Sequence, residues 1–498
     1  MERNQTNAIR PFLIGDEWSY GKGGTFESVN PADGSIAAVI AEAGSDDVDA
    51  AVRCAQAALN DARWSDLRPH QRGRLLHRLA DLIERDSERL AQIQTQDNGK
   101  TIAESRAQAA ASVEMFRYYA AVCEVVESEV IPQRGNYFSF SVYEPVGVVA
   151  AIAPWNSPIT LEAQKLAPAL AAGNAVVLKS SEITPQIGLE YGRLALEAGF
   201  PPGVLNVVTG FGRSTGVPLV SHPGVGMVTF TGGTASGREI AKIAGERLIP
   251  AMLELGGKSP NIVFGDADFE HAVTGAVYGI FSNAGQSCIA GSRIFVQEDI
   301  YDRFVARLVE ATKALVVGDP HDNRTAVAPV ASFQHRDRIE SYLELGRREG
   351  AKVLCGGARP PDPALAKGAY LQPTVLEAAD NSLRVAQEEI FGPVACVLRF
   401  RDEEDLVRQA NDTVFGLACA VWTRDYKRAF RIGKRIKAGT IWINTYKLTM
   451  VNMPFGGYKS SGVGRECGIQ GMKHYMAQKS VYLNLDENRI PWPPITSQ

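Results

Sequence analysis

The spacing of apolar residues changes along the chain, and each change marks a different kind of structure. Residues 44–130 read mostly as helix, because Leu75, Leu76, Leu79, Leu82, Ile83, Leu90 and Ile93 recur at threes and fours with charges between them. Asn98-Gly99 supplies a stop, since glycine accepts the left-handed conformation after a last helical turn. A second amphipathic stretch runs from about 102 to 126. From 139 to 149 the pattern turns to near alternation of apolar and polar residues. Short apolar runs follow at 146–153, 175–178, 204–208, 227–230 and 262–264, with helical stretches such as 185–198 and 237–247 between them. After about residue 290 the alternation resumes, with strands at 293–296, 394–400, 417–422 and 440–444 and helices at 301–314, 403–410 and 426–436. Such alternation requires crossover connections and a mostly parallel sheet. An α/β chain is predicted, with two parallel-sheet units joined within 254–283, where glycine-rich turns concentrate. A strand-like tail spans 474–485, and Pro491, Pro493 and Pro494 end regular structure. There is no internal repeat and no low-complexity tract.

Composition narrows the class. The chain has 498 residues, 45% hydrophobic and 22% charged, enough for about three domains and a large core. Disorder, collagen-like structure and a small disulfide scaffold are excluded. The net charge of −4 lacks the basic excess of a nucleic-acid binder, so no nucleic-acid partner is expected. The seven cysteines (Cys54, Cys123, Cys288, Cys355, Cys396, Cys419, Cys467) are scattered with no C-x-x-C pair, which points to a reducing compartment. No H-E-x-x-H and no histidine at ligand spacing from a cysteine appears, so no metal is expected. The chain shows no apolar leader, and its most apolar run, 146–155, is about half the length that spans a bilayer. Cytoplasmic residence without a membrane partner is the expectation.

Three segments carry candidate chemistry. Cys288 lies in Ser282-Asn283-Ala284-Gly285-Gln286-Ser287-Cys288-Ile289-Ala290-Gly291, a small-residue turn between a helix and a strand. Missing side chains there let a substrate approach a nucleophilic thiol; the alternative is a buried cysteine that only packs. Glu254 ends an apolar strand against Gly256 and Gly257. Desolvation there would raise its pKa toward that of a general base, unless it is a solvated residue or a salt-bridge partner of Lys258. Asn156, between Pro154 and Pro158, offers an N–H2 to an oxyanion or merely satisfies a turn. Dinucleotide signals are mixed. Residues 227–238 are strand, glycine turn and helix start, able to hold a phosphate, yet they are neither G-x-G-x-x-G nor a P-loop. Lys179 and Glu182 end a strand within reach of ribose hydroxyls.

Together these segments resemble the aldehyde dehydrogenase superfamily. The resemblance rests on Pro154-Trp155-Asn156, Lys179-Ser180-Ser181-Glu182, Phe230-Thr231-Gly232-Gly233-Thr234, Leu253-Glu254-Leu255-Gly256-Gly257-Lys258-Ser259-Pro260 and Gly285-Gln286-Ser287-Cys288. Farther on come Glu388-Glu389-Ile390-Phe391-Gly392-Pro393-Val394 and Pro454-Phe455-Gly456-Gly457-Tyr458-Lys459-Ser460-Ser461-Gly462, in the family's order. It implies a dinucleotide-binding domain (1–126 and 146–256), a catalytic domain (257–460) and a small β oligomerisation element (127–145 and 474–498), in a homodimer or homotetramer.

The resemblance also assigns roles. Cys288 would attack an aldehyde, Asn156 and the Cys288 N–H would hold the oxyanion, and Glu254 would activate the water that hydrolyses the thioester. Lys165 matches a proton-relay lysine. Glu389 and Phe391 would hold the nicotinamide end of the cofactor, Lys179 and Glu182 the adenosine ribose, and Gly232 and Gly233 the pyrophosphate. Trp155, Gly212, Gly237 and Leu255 complete the cofactor set. A carboxylate at Glu182 repels a 2′-phosphate, so NAD is expected. Ser180 stands where the family usually has proline; it would relax the loop or bond a phosphate, and this keeps NADP open.

Ser157, Gln164, Ser282, Ser287, Ile289 and Phe455 would line the substrate pocket, with Tyr446 another aromatic wall and 447–452 at the entrance. Serines at 157 and 282, where relatives often carry aromatics, imply a roomier and more polar tunnel. Gln164 replaces the arginine of relatives that act on succinic semialdehyde, which disfavours a short carboxylate-bearing substrate unless an arginine elsewhere substitutes. Two rival readings are a CoA-acylating enzyme and a silent structural descendant. The first generally lacks a glutamate at position 254, and the second is free to lose nucleophile, base or oxyanion donor.

Overall fold

The computed structural model describes residues 8–487; Pro491, Pro493 and Pro494, and the rest of the tail beyond 487, lie outside them. Two large sheets organise the chain, as an α/β protein requires. The first runs in the order Gly462–Val463, Ala251–Glu254, Met227–Thr231, Val148–Ile152, Ala175–Lys179, Leu205–Val208, Phe12–Ile14, Glu17–Ser19. Its five central strands are parallel, and its flanking strands antiparallel. Val148–Ile152 is buried on both faces, because helices pack on either side of a parallel sheet and leave no solvent face. The second sheet runs Lys352–Cys355, Thr374–Glu377, Val394–Phe400, Arg293–Gln297, Pro260–Val263, Ala418–Trp422, Thr440–Ile443. The first sheet gives way to the second between Glu254 and Pro260, within the predicted join.

The helical stretch divides into Ser45–Leu59, Ala62–Ser65, Pro69–Arg85, Ser87–Asn98 and Ile102–Val122. Pro69–Arg85 buries Leu76, Leu79, Ala80 and Ile83 on one stripe. Gly99 closes the next helix at φ 74°, as its sequence predicts. The Ile102 helix stops at Val122, short of the expected 126, and the turn after it leads to the two-stranded sheet of Tyr137–Pro145 and Met476–Asn484. The run 146–153 is shortened to Val148–Ile152 by Gly147, which takes φ 108°. The helix expected at 237–247 begins earlier, at Thr234, with Gly233 as its cap. Several elements escape the sequence reading. They include the N-terminal strands, the helices Pro158–Ala171 and Phe333–Arg348, and the strands Lys352–Cys355 and Thr374–Glu377.

Candidate active site

Three chain segments meet where the first sheet faces the second. Glu254 is the last residue of its strand, in register with Thr231 on one side and Gly462 on the other. It is 3% exposed, and neither carboxylate oxygen has a hydrogen-bond partner among the described residues. No ion pair joins it to Lys258, so the salt-bridge reading falls. Burial, then the neighbouring Glu466 carboxylate, pushes the Glu254 carboxyl well above its usual range, while Lys165 and Arg465 oppose the shift.

Behind Glu254 lies a fully buried ion pair. Lys165, on the helix Pro158–Ala171, donates to Glu466 Oε1 at 2.8 Å, Thr231 Oγ1 at 2.7 Å and Thr229 Oγ1 at 3.2 Å, which uses all three N–H bonds of the ammonium. Gln164 donates to the other Glu466 oxygen, so its amide is committed to this pair. Phe455 exchanges two backbone hydrogen bonds of 2.8 Å with Glu466 and fixes it. Glu466 itself was not singled out in the sequence.

Cys288 follows the helix Phe269–Phe281 and a tight turn in which Asn283 and Ala284 both have positive φ. Gly285 has φ 73°, and a Cβ there would lie 2.0 Å from the Gly392 carbonyl oxygen. The loop is thus pressed onto Phe391-Gly392-Pro393. Gly257 permits the opposite contact, since a Cβ on it would lie 2.2 Å from the Cys288 carbonyl oxygen. Desolvation, followed by Glu389 and Glu254, pushes the Cys288 thiol up to about 12, and the N–H groups of Ile289 and Cys288 act the other way.

Asn156 donates one amide hydrogen to the Gln286 carbonyl at 2.9 Å. The same carbonyl accepts from Asn283 Nδ2 at 2.8 Å. An amide has two donors, and the second N–H of Asn156 has no partner among the described residues. The asparagine therefore does more than close a turn. Ser287 and Ile289 flank the nucleophile. The Ile289 carbonyl accepts from the buried Tyr446 hydroxyl at 3.0 Å, which puts Tyr446 under the loop as a support and corrects its expected place as a tunnel wall.

Around the nucleophile, Trp155, His335 and Phe391 form an aromatic cluster, with ring centroids of Trp155 5.0 Å from His335 and 5.2 Å from Phe391. Phe391 has φ 62°, an unusual conformation for a bulky residue. His335 Nε2 lies 2.7 Å from the Phe391 carbonyl. A carbonyl only accepts, so Nε2 carries the proton. Burial lowers His335 to about 4 and keeps it neutral. Glu389 accepts from the Gly257 N–H at 2.8 Å, and desolvation pushes its carboxyl up to about 7.

Trp155, Lys179, Gly212, Gly232 and Leu255 lie at or just beyond the C-terminal ends of the five parallel strands of the first sheet. Gly233 caps the helix Thr234–Glu246 and Gly212 opens the turn Gly212–Gly216; a Cβ on either would meet nothing within 4 Å. A Cβ on Gly232 would strike the Phe230 ring, and one on Gly237 the Leu255 side chain, so these two keep the turn and helix close to the sheet. Lys179 and Glu182 pair at 3.2 Å. An open glycine turn at a helix N-terminus fits a pyrophosphate, and the Lys–Glu pair fits a ribose. Ser180 corrects an expectation. Its hydroxyl points inward, 2.1 Å from where a Cβ on Gly188 would lie, and toward the buried Glu162 carboxyl. It faces the core rather than a cofactor phosphate.

Ser157 and Ser282 are engaged as well. Ser157 donates to the Asn156 carbonyl at 2.7 Å and accepts from Gln108 at 2.9 Å and Lys100 at 3.4 Å. Ser282 donates to the Tyr278 carbonyl at 2.8 Å and accepts from Lys447 at 2.7 Å. Among the described residues there is no group of acidic, histidine or cysteine side chains able to hold a metal, and no helix long and apolar enough to cross a membrane.

Comparison with known proteins follows this geometry. The model of the aldehyde dehydrogenase family matches residues 18–481. The mitochondrial aldehyde dehydrogenases of Rattus norvegicus and Homo sapiens are each 45% identical over 466 residues, covering 93% of this chain and 89% of theirs. A crystal structure of a putative aldehyde dehydrogenase from Burkholderia cenocepacia superimposes with a TM-score of 0.95 at 44% identity, covering 97% of this chain and 99% of that one. The NAD+ complex of an aldehyde dehydrogenase from Bacillus cereus has a TM-score of 0.94 at 40% identity, covering 96% and 97%.

Proposed function

As the chain belongs to the aldehyde dehydrogenase family, we propose that it oxidises an aldehyde to its carboxylic acid through a thioester on Cys288, with NAD as the oxidant. The observation that carries this reading is the convergence on one site of a thiol, a free amide N–H of Asn156 and the unpartnered Glu254 carboxyl. The Cys288 sulfur, as thiolate, bonds to the aldehyde carbon, and the carbonyl oxygen takes up the electron pair as an oxyanion. Asn156 Nδ2 and the Cys288 N–H donate to that oxygen. Bound NAD supplies the acceptor for the hydride that then leaves the carbon. Glu254 takes a proton from water, whose oxygen attacks the thioester carbonyl; the C–S bond breaks and the thiolate is restored. Burial and the Glu466 carboxylate raise the Glu254 carboxyl and make it a stronger base, while Lys165 opposes them and favours its ionised, proton-accepting form.

Gly212, Gly232, Gly233 and Gly237 shape the floor that the cofactor's pyrophosphate would occupy. Lys179 and Glu182 would meet its adenosine ribose, and Trp155, Leu255, Glu389 and Phe391 its nicotinamide end. Because Ser180 faces inward and offers a phosphate no donor, the Glu182 carboxylate disfavours a 2′-phosphate, and NAD is favoured over NADP. The domains are those named from the resemblance, and the two-stranded sheet Tyr137–Pro145 with Met476–Asn484 serves as the oligomerisation element. Its exposed Tyr137, Phe138, Tyr482 and Leu483 support a homodimer or homotetramer. All seven cysteines are free, which suits the reducing cytoplasm.

The test is NADH formation across aliphatic, aromatic, amino-ended and carboxylate-ended aldehydes, without CoA, run with NAD and then NADP. Turnover is expected with NAD in preference to NADP. Cys288→Ala abolishes it while leaving cofactor binding intact, and Glu254→Gln accumulates an acyl group visible as added mass on Cys288. Retained oxidation by Cys288→Ala, or strict dependence on CoA, would overturn the reading.

A further inference from the structure

Two lysines, one buried and one half-buried, stand on the serines that flank the reacting groups, and the mechanism above uses neither. Lys100 follows the left-handed Gly99, is 3% exposed, and approaches Ser157 Oγ at 3.4 Å. Lys447 follows the strand Thr440–Ile443, takes a left-handed φ of 57°, and donates to Ser282 Oγ at 2.7 Å over the edge of the Tyr278 ring. Each serine gives its own proton to a backbone carbonyl, so each turns a lone pair toward its lysine. Serines at these two positions thus do more than widen the tunnel: they hold the ammonium groups in place.

Neither lysine forms an ion pair among the described residues. The nearby carboxylate, Glu104, is already engaged. Its Oε1 accepts from the Asn283 N–H at 2.7 Å and its Oε2 from the Thr101 hydroxyl at 2.9 Å. Desolvation lowers both lysines to about 8, and each feels Glu104 in the opposite sense. The two serines are joined through the oxyanion donor: Ser157 follows Asn156, Ser282 precedes Asn283, and Asn283 Nδ2 donates to the Asn156 carbonyl at 3.2 Å. An ammonium has three N–H donors, and here each lysine uses one of them, on a neutral hydroxyl. Burying such charges without counter-charge is costly, and a bound anion offsets that cost. Two ammonium groups against one carboxylate leave a surplus of one positive charge.

We propose that Lys100 and Lys447 form a carboxylate site, and that the substrate is a short aldehyde whose far end bears a single negative charge. This rests on the aldehyde-oxidising reading of Cys288. Gln164 disfavours such a substrate only if position 164 must supply the cation; here the cations come from a helix-capping loop and from the entrance segment 447–452. A surplus of one charge fits a carboxylate better than a doubly charged phosphate. Lys447 binds Ser282, at the start of the turn that carries Cys288, so a short chain between aldehyde and anion fits the site.

The full-length protein with NAD would be assayed on succinic semialdehyde, butanal and glyceraldehyde phosphate. Succinic semialdehyde is expected to show a kcat/KM about ten-fold or more above butanal, mainly through KM, as for a hydrogen-bonded charge pair. That ratio should fall about ten-fold or more in Lys447→Asn, where asparagine tolerates the left-handed backbone, and in Lys100→Gln. Equal use of butanal, preference for the phosphate, or an unchanged ratio in both variants would overturn the site. Calorimetric binding of succinate, which needs no turnover, separates the two readings. Succinate binding that weakens in Lys447→Asn, in a protein that oxidises no aldehyde, keeps the anion site and sinks the oxidation. Oxidation without any succinate binding does the reverse.

Discussion

Among the described residues two buried glutamates, Glu162 and Glu254, have no hydrogen-bond partner on either oxygen. Glu254 faces the nucleophile. Glu162, on the helix Pro158–Ala171, is completely buried near Ser180 and Asp97, and desolvation pushes it up to about 8. Its folded pKa lies above the usual 4.5, so between those values the folded state holds a proton that the unfolded state has released. Stability contributed by this group is therefore complete below about pH 4.5 and lost as pH rises through about 8. Glu162→Gln keeps the shape and cannot ionise. Its melting temperature should exceed that of the parent at pH 9 and converge with it at pH 5, the gap corresponding to a few kcal/mol at most. Parallel curves at both pH values would show that Glu162 ionises freely in the fold.

At the scale of elements, the nucleophile is held by contact between loops rather than by the helix and strand that flank it. Gly285→Ala combines a left-handed φ with a methyl driven against the Gly392 carbonyl. It should lower kcat about ten-fold or more and cost about 2 kcal/mol or more in a denaturant titration. Gly245→Ala, in open space on the helix Thr234–Glu246, should instead stabilise by about 0.5 kcal/mol and leave kcat alone. Equal behaviour of the two variants would refute the docking of the loop.

The same contrast explains what the sequence made legible. Buried strands announce themselves as short apolar runs. The helix Pro158–Ala171 does not, because it is buried nearly all round and carries Pro168 within it, so no polar face leaves a period of 3.6 to read. Cys288, Glu254 and Asn156 stand in glycine- or proline-marked turns that betray them. Glu466 and Lys447 do not: Glu466 meets Lys165 across 301 residues of sequence, a distance over which no local pattern carries information. His335 likewise reaches Phe391 from a helix whose role appears only in three dimensions.

At the scale of the whole molecule, two small sheets stand outside the two large ones among the described residues: the three strands Ile9–Arg10, Ile36–Ala41 and Thr25–Val29, and the pair Tyr137–Pro145 with Met476–Asn484. Tyr482 is 72% exposed and Leu483 55%; residues 129–131 cover part of the outer edge of Tyr137–Pro145, while Met476–Asn484 has no further strand beside it among the described residues. Tyr482→Asp with Leu483→Asp should shift the protein toward the monomer in light scattering; an unchanged mass would place the interface elsewhere. A last consequence follows from the strand Gly462–Val463, which closes the first sheet against the strand that ends in Glu254. During synthesis, the earlier strands of that sheet emerge and can pair long before residue 462 leaves the ribosome. Until then the edge beside the general base stays open and Glu466 has not arrived. A nascent chain that stops short of residue 462 therefore holds both the cysteine and Glu254, but without the strand and the Glu466 carboxylate that bury and tune the base.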